Sequence, residues 1–176
     1  MTAIATDVSS KIAYLARALK TPTIARTWED IAVQARDLGW SHEEYLAAVL
    51  ERQNSEREAS GAMMRIKTAH FPAIKTLEDF NYDHLPSLRR DILAHLATAT
   101  YVAKAENVIL LGPPGIGKTH LAIGLGMRAV ERGLSVRFHQ TAELVLQLGK
   151  AKRDGNLDAM LRDVGRADLI ILDEFG

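Results

Sequence analysis

Residues 112–119, Gly-Pro-Pro-Gly-Ile-Gly-Lys-Thr, place Gly112, Gly117, Lys118 and Thr119 at the spacing G-x-x-x-x-G-K-[ST]. Those residue types at that spacing suit one chemistry, the holding of a polyphosphate. Gly115 and Gly117 can take backbone angles closed to other residues and let the chain lie close to phosphate oxygens. Successive N–H groups then converge as an anion nest at a helix N-terminus. The pattern gives Lys118 to the β- and γ-phosphates and the Thr119 hydroxyl to Mg2+. Pro113, Pro114, Ile116 and His120 complete the candidate nucleotide-contacting set. The plainer alternative is a Gly/Pro-rich turn between a strand and a helix. Context favours the phosphate loop, because Val108–Leu111 is a continuous apolar run of the kind a strand buried on both faces requires. A helix-compatible pattern resumes after Gly117.

A second chemical element comes one strand–helix unit later. Leu169-Ile170-Ile171-Leu172 reads as a buried strand, and it ends in Asp173-Glu174. Asp173, at the strand end, is placed to hold Mg2+ through its water shell, since Mg2+ keeps several waters and favours carboxylates. Glu174 is the candidate base that orients and polarises an attacking water. An apolar run ending in Asp-Glu is by itself no more than a strand running into a turn. Behind a phosphate loop, the pair points to ATP hydrolysis, with Glu174 and Lys118 as catalytic candidates and Thr119 and Asp173 as metal ligands. The six histidines have no metal-ligand spacing, and no Ser/His/Asp or G-x-S-x-G pattern occurs.

The elements that must position these groups form an α/β arrangement. Asn107 leads into the loop strand, and Leu121, Ile123, Leu125 and Met127 mark the helix behind the loop, which stops at Gly133. Val136–Gln140 reads as a second strand, after which Thr141 caps a helix containing Leu144, Val145 and Leu148. Gly155 breaks that helix and a short one begins at about Leu157. This alternation predicts a parallel sheet with helices on both faces. Ahead of it, Pro86 suits the first position of a helix whose apolar side is Leu85, Leu88, Ile92, Leu93 and Leu96.

The N-terminal part is helical. Residues 1–8 are small and polar and are expected to fray. Ile12, Leu15 and Leu19 fall at helical spacing, and Trp28, Ile31, Ala35 and Leu38 form a second stripe ending at Gly39. Ser41 and Glu44 form a capping box that opens a third helix with Tyr45, Leu46, Val49 and Leu50 inward. Trp28 and Trp40 read as core or corner residues rather than a binding platform. The helix turns strongly polar over Glu51–Glu58, and residues 59–77 carry Arg65, Lys67, His70 and Lys75 without an acid. That basic stretch is either a solvated linker or a contact to a phosphate backbone. Phe71-Pro72 and Phe80 look like anchors pinning it to the next domain. The expected organisation is a helical domain over 1–60, a basic linker over 61–84 and an α/β domain over 85–176.

The totals set bounds. Apolar residues make up 47% of the chain, Lys plus Arg equals Asp plus Glu at 22 each, and there is no cysteine. A disulfide framework and a thiolate metal site are excluded, and charge alone selects no partner. No apolar run approaches the ~20 residues of a membrane span, and the N-terminus lacks the pattern of a secretory signal. A soluble cytoplasmic protein without a membrane partner is expected.

With both motifs in place, GPPGIGKTHLA and LIILDEFG resemble the AAA+ ATPases of the DnaC/IstB type. The likeness extends through the helical stretch Ala18–Glu58, the FPAIKTLEDF linker, the Asn107 entry and the VRF…AELV…DLIILDE run, nearly the whole chain from about residue 11. The resemblance implies an AAA+-type P-loop sheet that binds ATP and Mg2+ and assembles as a homo-oligomer on DNA through non-specific backbone contacts. It also implies a partner transposase, or for the DnaC relatives a replicative helicase, met by the N-terminal helices. Lys118, Thr119, Asp173 and Glu174 match the family's nucleotide site one by one. Ile116 stands where Thr or Val is commoner, a backbone-lined position where little effect is expected. In that family a later strand with a polar sensor residue lies between the loop strand and the acidic strand, and an arginine finger comes after it. Both would come after Gly176, so the resemblance implies a sheet incomplete at the C-terminus, with open strand edges that favour aggregation. A non-catalytic interaction module built on the N-terminal helices is the alternative from another class. A small-molecule kinase fits less well, because no Arg-rich lid segment succeeds the loop.

Overall fold

The computed structural model describes residues 2–85 and 88–175, with side chains described from residue 7 onward, His84 excepted. Its contacts divide the chain into two compact units, Met1–Ser60 and Gly61–Gly176.

The first unit holds α1 (Thr2–Ala18), α2 (Pro22–Leu38) and the first part of α3 (His42–Ala69). α1 thus includes the stretch expected to fray; it contains neither Gly nor Pro to stop it. Pro22 opens α2, and Gly39 closes it with φ +67 while the Trp40 amide returns to the Ala35 carbonyl at 2.9 Å. The capping box of α3 forms reciprocally: the Ser41 amide donates to Glu44 at 2.7 Å, and the Glu44 amide to the Ser41 hydroxyl at 3.1 Å. Burial corrects the apolar stripes. Ala16, Ala35 and Val49 are buried, whereas Leu15, Leu19, Leu38, Leu46 and Leu50 are exposed, since three helices of this length enclose little interior. Trp28 and Trp40 are half-buried.

One buried polar residue in this unit escapes a pattern-based reading. Gln53, within the polar run, accepts from the amides of Thr23 and Ile24 at 3.1 and 3.4 Å. The Thr21 hydroxyl turns back to the Ala16 carbonyl, so a side chain from α3 satisfies the open amides at the start of α2.

The second unit starts with the last turns of α3. Residues 61–84, expected as a linker, are integrated into it: Gly61–Ala69 is helical, and Leu77 and Phe80 are buried. The two anchors hold as expected. Phe71 meets Phe138 edge-on with ring centroids 6.4 Å apart, and Phe80 packs with Leu77, Leu93, Leu121 and Leu125. The Pro86 helix start lies outside the described residues. α4 (Arg90–Leu96) begins at Arg90, with Leu93 buried, Leu85, Leu88 and Leu96 packed around it, and Ile92 exposed. The short α5 (Thr100–Ala103) comes next, then the phosphate-loop segment, α6 (Lys118–Glu131), β1 (Val136–Gln140), α7 (Thr141–Arg153), α8 (Leu157–Val164) and β2 (Leu169–Asp173).

β1 and β2 pair in parallel, in register from Val136↔Leu169 to Gln140↔Asp173. α6 packs on both strands and α7 on β1. α6 is buried nearly all round, and it gets close by lacking side chains. A Cβ on Gly124 would lie 2.6 Å from Leu77 Cδ2, and one on Gly126 2.7 Å from Ile171 Cδ1.

Two strand expectations are corrected. Val108–Leu111 forms no strand and has no ladder partner among the described residues, and Ile109 and Leu111 are 76% and 85% exposed. A strand exists only through its ladder, and hydrophobicity without a neighbour does not make one. β2 buries Ile171 alone, while Ile170 and Leu172 face outward, so it is covered on one side rather than on both. No helix among the described residues is long and apolar enough to cross a membrane.

Candidate phosphate-binding site

The loop bends on three glycines at positive φ: Gly112 at +154°, Gly115 at +82° and Gly117 at +91°. Gly117 is constrained twice. It caps α6 in the left-handed region, and a Cβ there would lie 2.6 Å from the Phe80 ring. Gly115 faces open space, whereas a Cβ on Gly112 would collide with Ile116 Cδ1. Ile116 folds its side chain over Gly112 and is half-buried. Pro113 and Pro114 are exposed.

Lys118 turns back into the loop, its Nζ donating to the carbonyls of Gly112 and Pro113 at 2.8 Å each. α6 carries no side-chain cap, so its first amides remain available to an anion. Thr119 Oγ1 donates to both carboxylate oxygens of Asp173, at 3.0 and 2.9 Å, across 54 residues of sequence. The loop and the acidic strand end, read separately from sequence, thus meet at one point. The donor set fits both phosphate and Mg2+. Free amides and an ammonium suit phosphate oxygens, and a hydroxyl beside a carboxylate suits Mg2+.

Other candidate residues fall around this point. Glu174 comes directly after β2, exposed and with φ +54, a region few non-glycine residues occupy. The His120 ring is engaged by the Thr76 carbonyl at 2.8 Å and stacks edge-on with Phe80 at 5.3 Å, so it ties the 70–85 segment to the head of α6. Thr141 does not cap α7. Gln140 holds the cap position, and the Thr141 hydroxyl donates to the Asp173 carbonyl at 2.8 Å. Of the basic stretch, Arg65 is directed to the Val130 carbonyl at 3.4 Å, while Lys67 and Lys75 are exposed. A denser basic turn went unread in the sequence: Lys150, Lys152 and Arg153 close α7. The signal was present as three cations within four residues.

The sequence model of one family, described as IstB-like ATP binding protein, matches residues 14–176. The chain belongs to this family. Among IstB-like relatives, the insertion sequence IS21 putative ATP-binding protein of Pseudomonas aeruginosa is 39% identical over 90% of this chain and 60% of its own length. The insertion sequence IS5376 putative ATP-binding protein of Geobacillus stearothermophilus is 36% identical over 90% of this chain and 63% of its own length. A putative insertion sequence ATP-binding protein of Sinorhizobium fredii is 36% identical over 89% of this chain and 53% of its own length. The chain thus spans 53% to 63% of these three curated relatives. Membership in the IstB-like family agrees with the meeting of loop and acidic strand in a parallel α/β unit.

Proposed function

We propose that the chain binds ATP with Mg2+ and serves as a DNA-dependent ATPase that assists the transposition of an insertion sequence. The observation that carries this reading is the Thr119–Asp173 contact, which gathers the phosphate loop and the acidic strand end around a single point. The amides at the head of α6 and the Lys118 ammonium would hold the β- and γ-phosphates. Thr119 and Asp173 would hold Mg2+, which when bound neutralises charge building on the transferred phosphoryl group. Glu174 would orient and polarise the attacking water. The similarity to putative ATP-binding proteins of insertion sequences supports the nucleotide and the setting.

DNA enters the reading through charge. Lys150, Lys152 and Arg153 on the last turn of α7, with Lys67 and Lys75, offer backbone contacts without base readout. The helices of the first unit, with Tyr14, Leu15, Leu19, Leu46 and Leu50 exposed, offer a surface for a transposase, or for a helicase in the replication variant of this role. Assembly as a homo-oligomer in the cytoplasm belongs to the same proposal. ATP turnover measured with and without duplex DNA tests it. Stimulated turnover that Glu174→Gln abolishes is expected, and turnover surviving that change would remove Glu174 from its role.

A second reading, an interaction module without catalysis, is favoured by the separateness of the first unit. Capture of a transposase by a Lys118→Ala chain, with no ATP turnover in the parent, would select it.

A further inference from the structure

Asp173 is held from two directions. Thr119 grips its carboxylate from α6, and the Thr141 hydroxyl grips its main-chain carbonyl from α7 at 2.8 Å. A hydroxyl at a helix cap ordinarily serves the amides of the first turn, but in α7 the cap position belongs to Gln140 and Thr141 comes one residue later. In α7 that service is absent; the helix has no side-chain cap, and the hydroxyl reaches across to β2 instead. The ladder ends at the Gln140–Asp173 pair, so the Asp173 carbonyl lies where strand pairing runs out and Thr141 supplies its partner. That carbonyl and the Glu174 amide share one rigid peptide plane. Glu174 leaves the plane at φ +54, a left-handed conformation that a non-glycine residue adopts at a cost. The Thr141 hydroxyl reaches that plane from another element.

We propose that Thr141 is a positioning residue for Glu174: its hydroxyl, acting through the Asp173 carbonyl, holds the turn that aims the carboxylate. The setting of that carboxylate then depends on the stance of α7, whose far end carries Lys150, Lys152 and Arg153. The inference rests on the reading of Glu174 as the water-orienting group. Its rival is a staple that merely fastens β2 to α7.

The test uses the full chain as parent, Thr141→Val and Thr141→Ser. Carbon and nitrogen resonances of Asp173 and Glu174 are recorded without nucleotide, and then affinity for a fluorescent ATP analogue and single-turnover hydrolysis are measured. Thr141→Val should move the Asp173 carbonyl and Glu174 amide resonances while leaving the rest of β1, β2 and α7 in place. Affinity should stay within about twofold and hydrolysis should fall by about three- to tenfold. Thr141→Ser should restore both. Unmoved resonances in Thr141→Val, or a Thr141→Ser chain that behaves like it, would overturn the proposal. So would shifts spread through both strands and α7 with a lower melting midpoint, the mark of a staple. A parent that fails to bind ATP would count against the nucleotide reading alone, because the nucleotide-free spectra still decide the role of Thr141.

Discussion

The phosphate loop has two flanks of similar hydrophobicity and opposite fate. Behind it, α6 buries Leu121, Ile123, Leu125, Met127 and Val130; ahead of it, Ile109 and Leu111 stand in solvent. The helix closes its own hydrogen bonds and needs only surfaces to pack on, which Leu77, Phe80, Phe71 and Ile171 supply. The flank ahead of the loop needs a neighbouring strand to complete a ladder, and none of the described residues provides one. An apolar run thus specifies burial in a helix more directly than in a strand. Local sequence completes the helix, whereas pairing completes the strand.

The sharpest way to break this comparison is to truncate one isoleucine on each side. Ile123→Ala should cost about 3–4 kcal/mol in urea unfolding, against ~0.5 kcal/mol or less for Ile109→Ala. Equal costs would mean that the two flanks are equally packed. Next in size, Gly124→Ala should cost about 1–3 kcal/mol by driving a Cβ onto Leu77. Part of that loss should vanish when Leu77→Ala is added, since residues in contact are coupled. Additive losses would show that Leu77 is not what constrains Gly124.

Within the loop, Gly117→Ala should destabilise more than Gly115→Ala. Both sit at positive φ, which costs an alanine ~1 kcal/mol, but only Gly117 also faces Phe80. Equal effects on the melting midpoint would contradict the contact.

The smallest effect is a pH dependence on the packed side. Burial, and after it the charges of Arg137 and His70, pushes the His139 imidazole below its ordinary value of 6.5, and its buried Nε2 has no hydrogen-bond partner among the described residues. The unfolded chain therefore binds this proton first as pH falls. The contribution is complete above 6.5 and is lost as pH drops toward the lower folded value. His139→Gln should flatten the melting midpoint between pH 7 and pH 5; a slope unchanged by the substitution would assign it to other groups.

What sequence made legible was whatever local chemistry dictates. The capping box at Ser41 and Glu44, the stop at Gly39, the glycine bends of the loop and the β1–α7 boundary stem from residue type within a few positions. Lys118 and Thr119 stand out in the sequence because the G-x-x-x-x-G-K-[ST] pattern fixes their spacing, and Asp173 because an apolar run ends on it. A shared Mg2+ role implied that Thr119 and Asp173 meet, but not the direct hydrogen bond between them, which spans 54 residues and depends on how α6 packs on β2. Gln53 and Thr141 failed for the same reason. Each has a local role that its type suggests, a solvated helix position and a cap, yet each hydrogen bond goes to another element. Position 86 lies outside the described residues, and the helix expected from it begins at Arg90.

The central claim is that the loop around Lys118 binds the polyphosphate of ATP. A thermal melt of the parent with and without Mg-ATP, beside Lys118→Ala, tests it most directly, since a ligand that binds only the folded state raises the midpoint by mass action. The account predicts a cooperative transition that Mg-ATP moves upward in the parent and leaves in place in Lys118→Ala. A parent midpoint indifferent to Mg-ATP, or one that rises equally in Lys118→Ala, would contradict it.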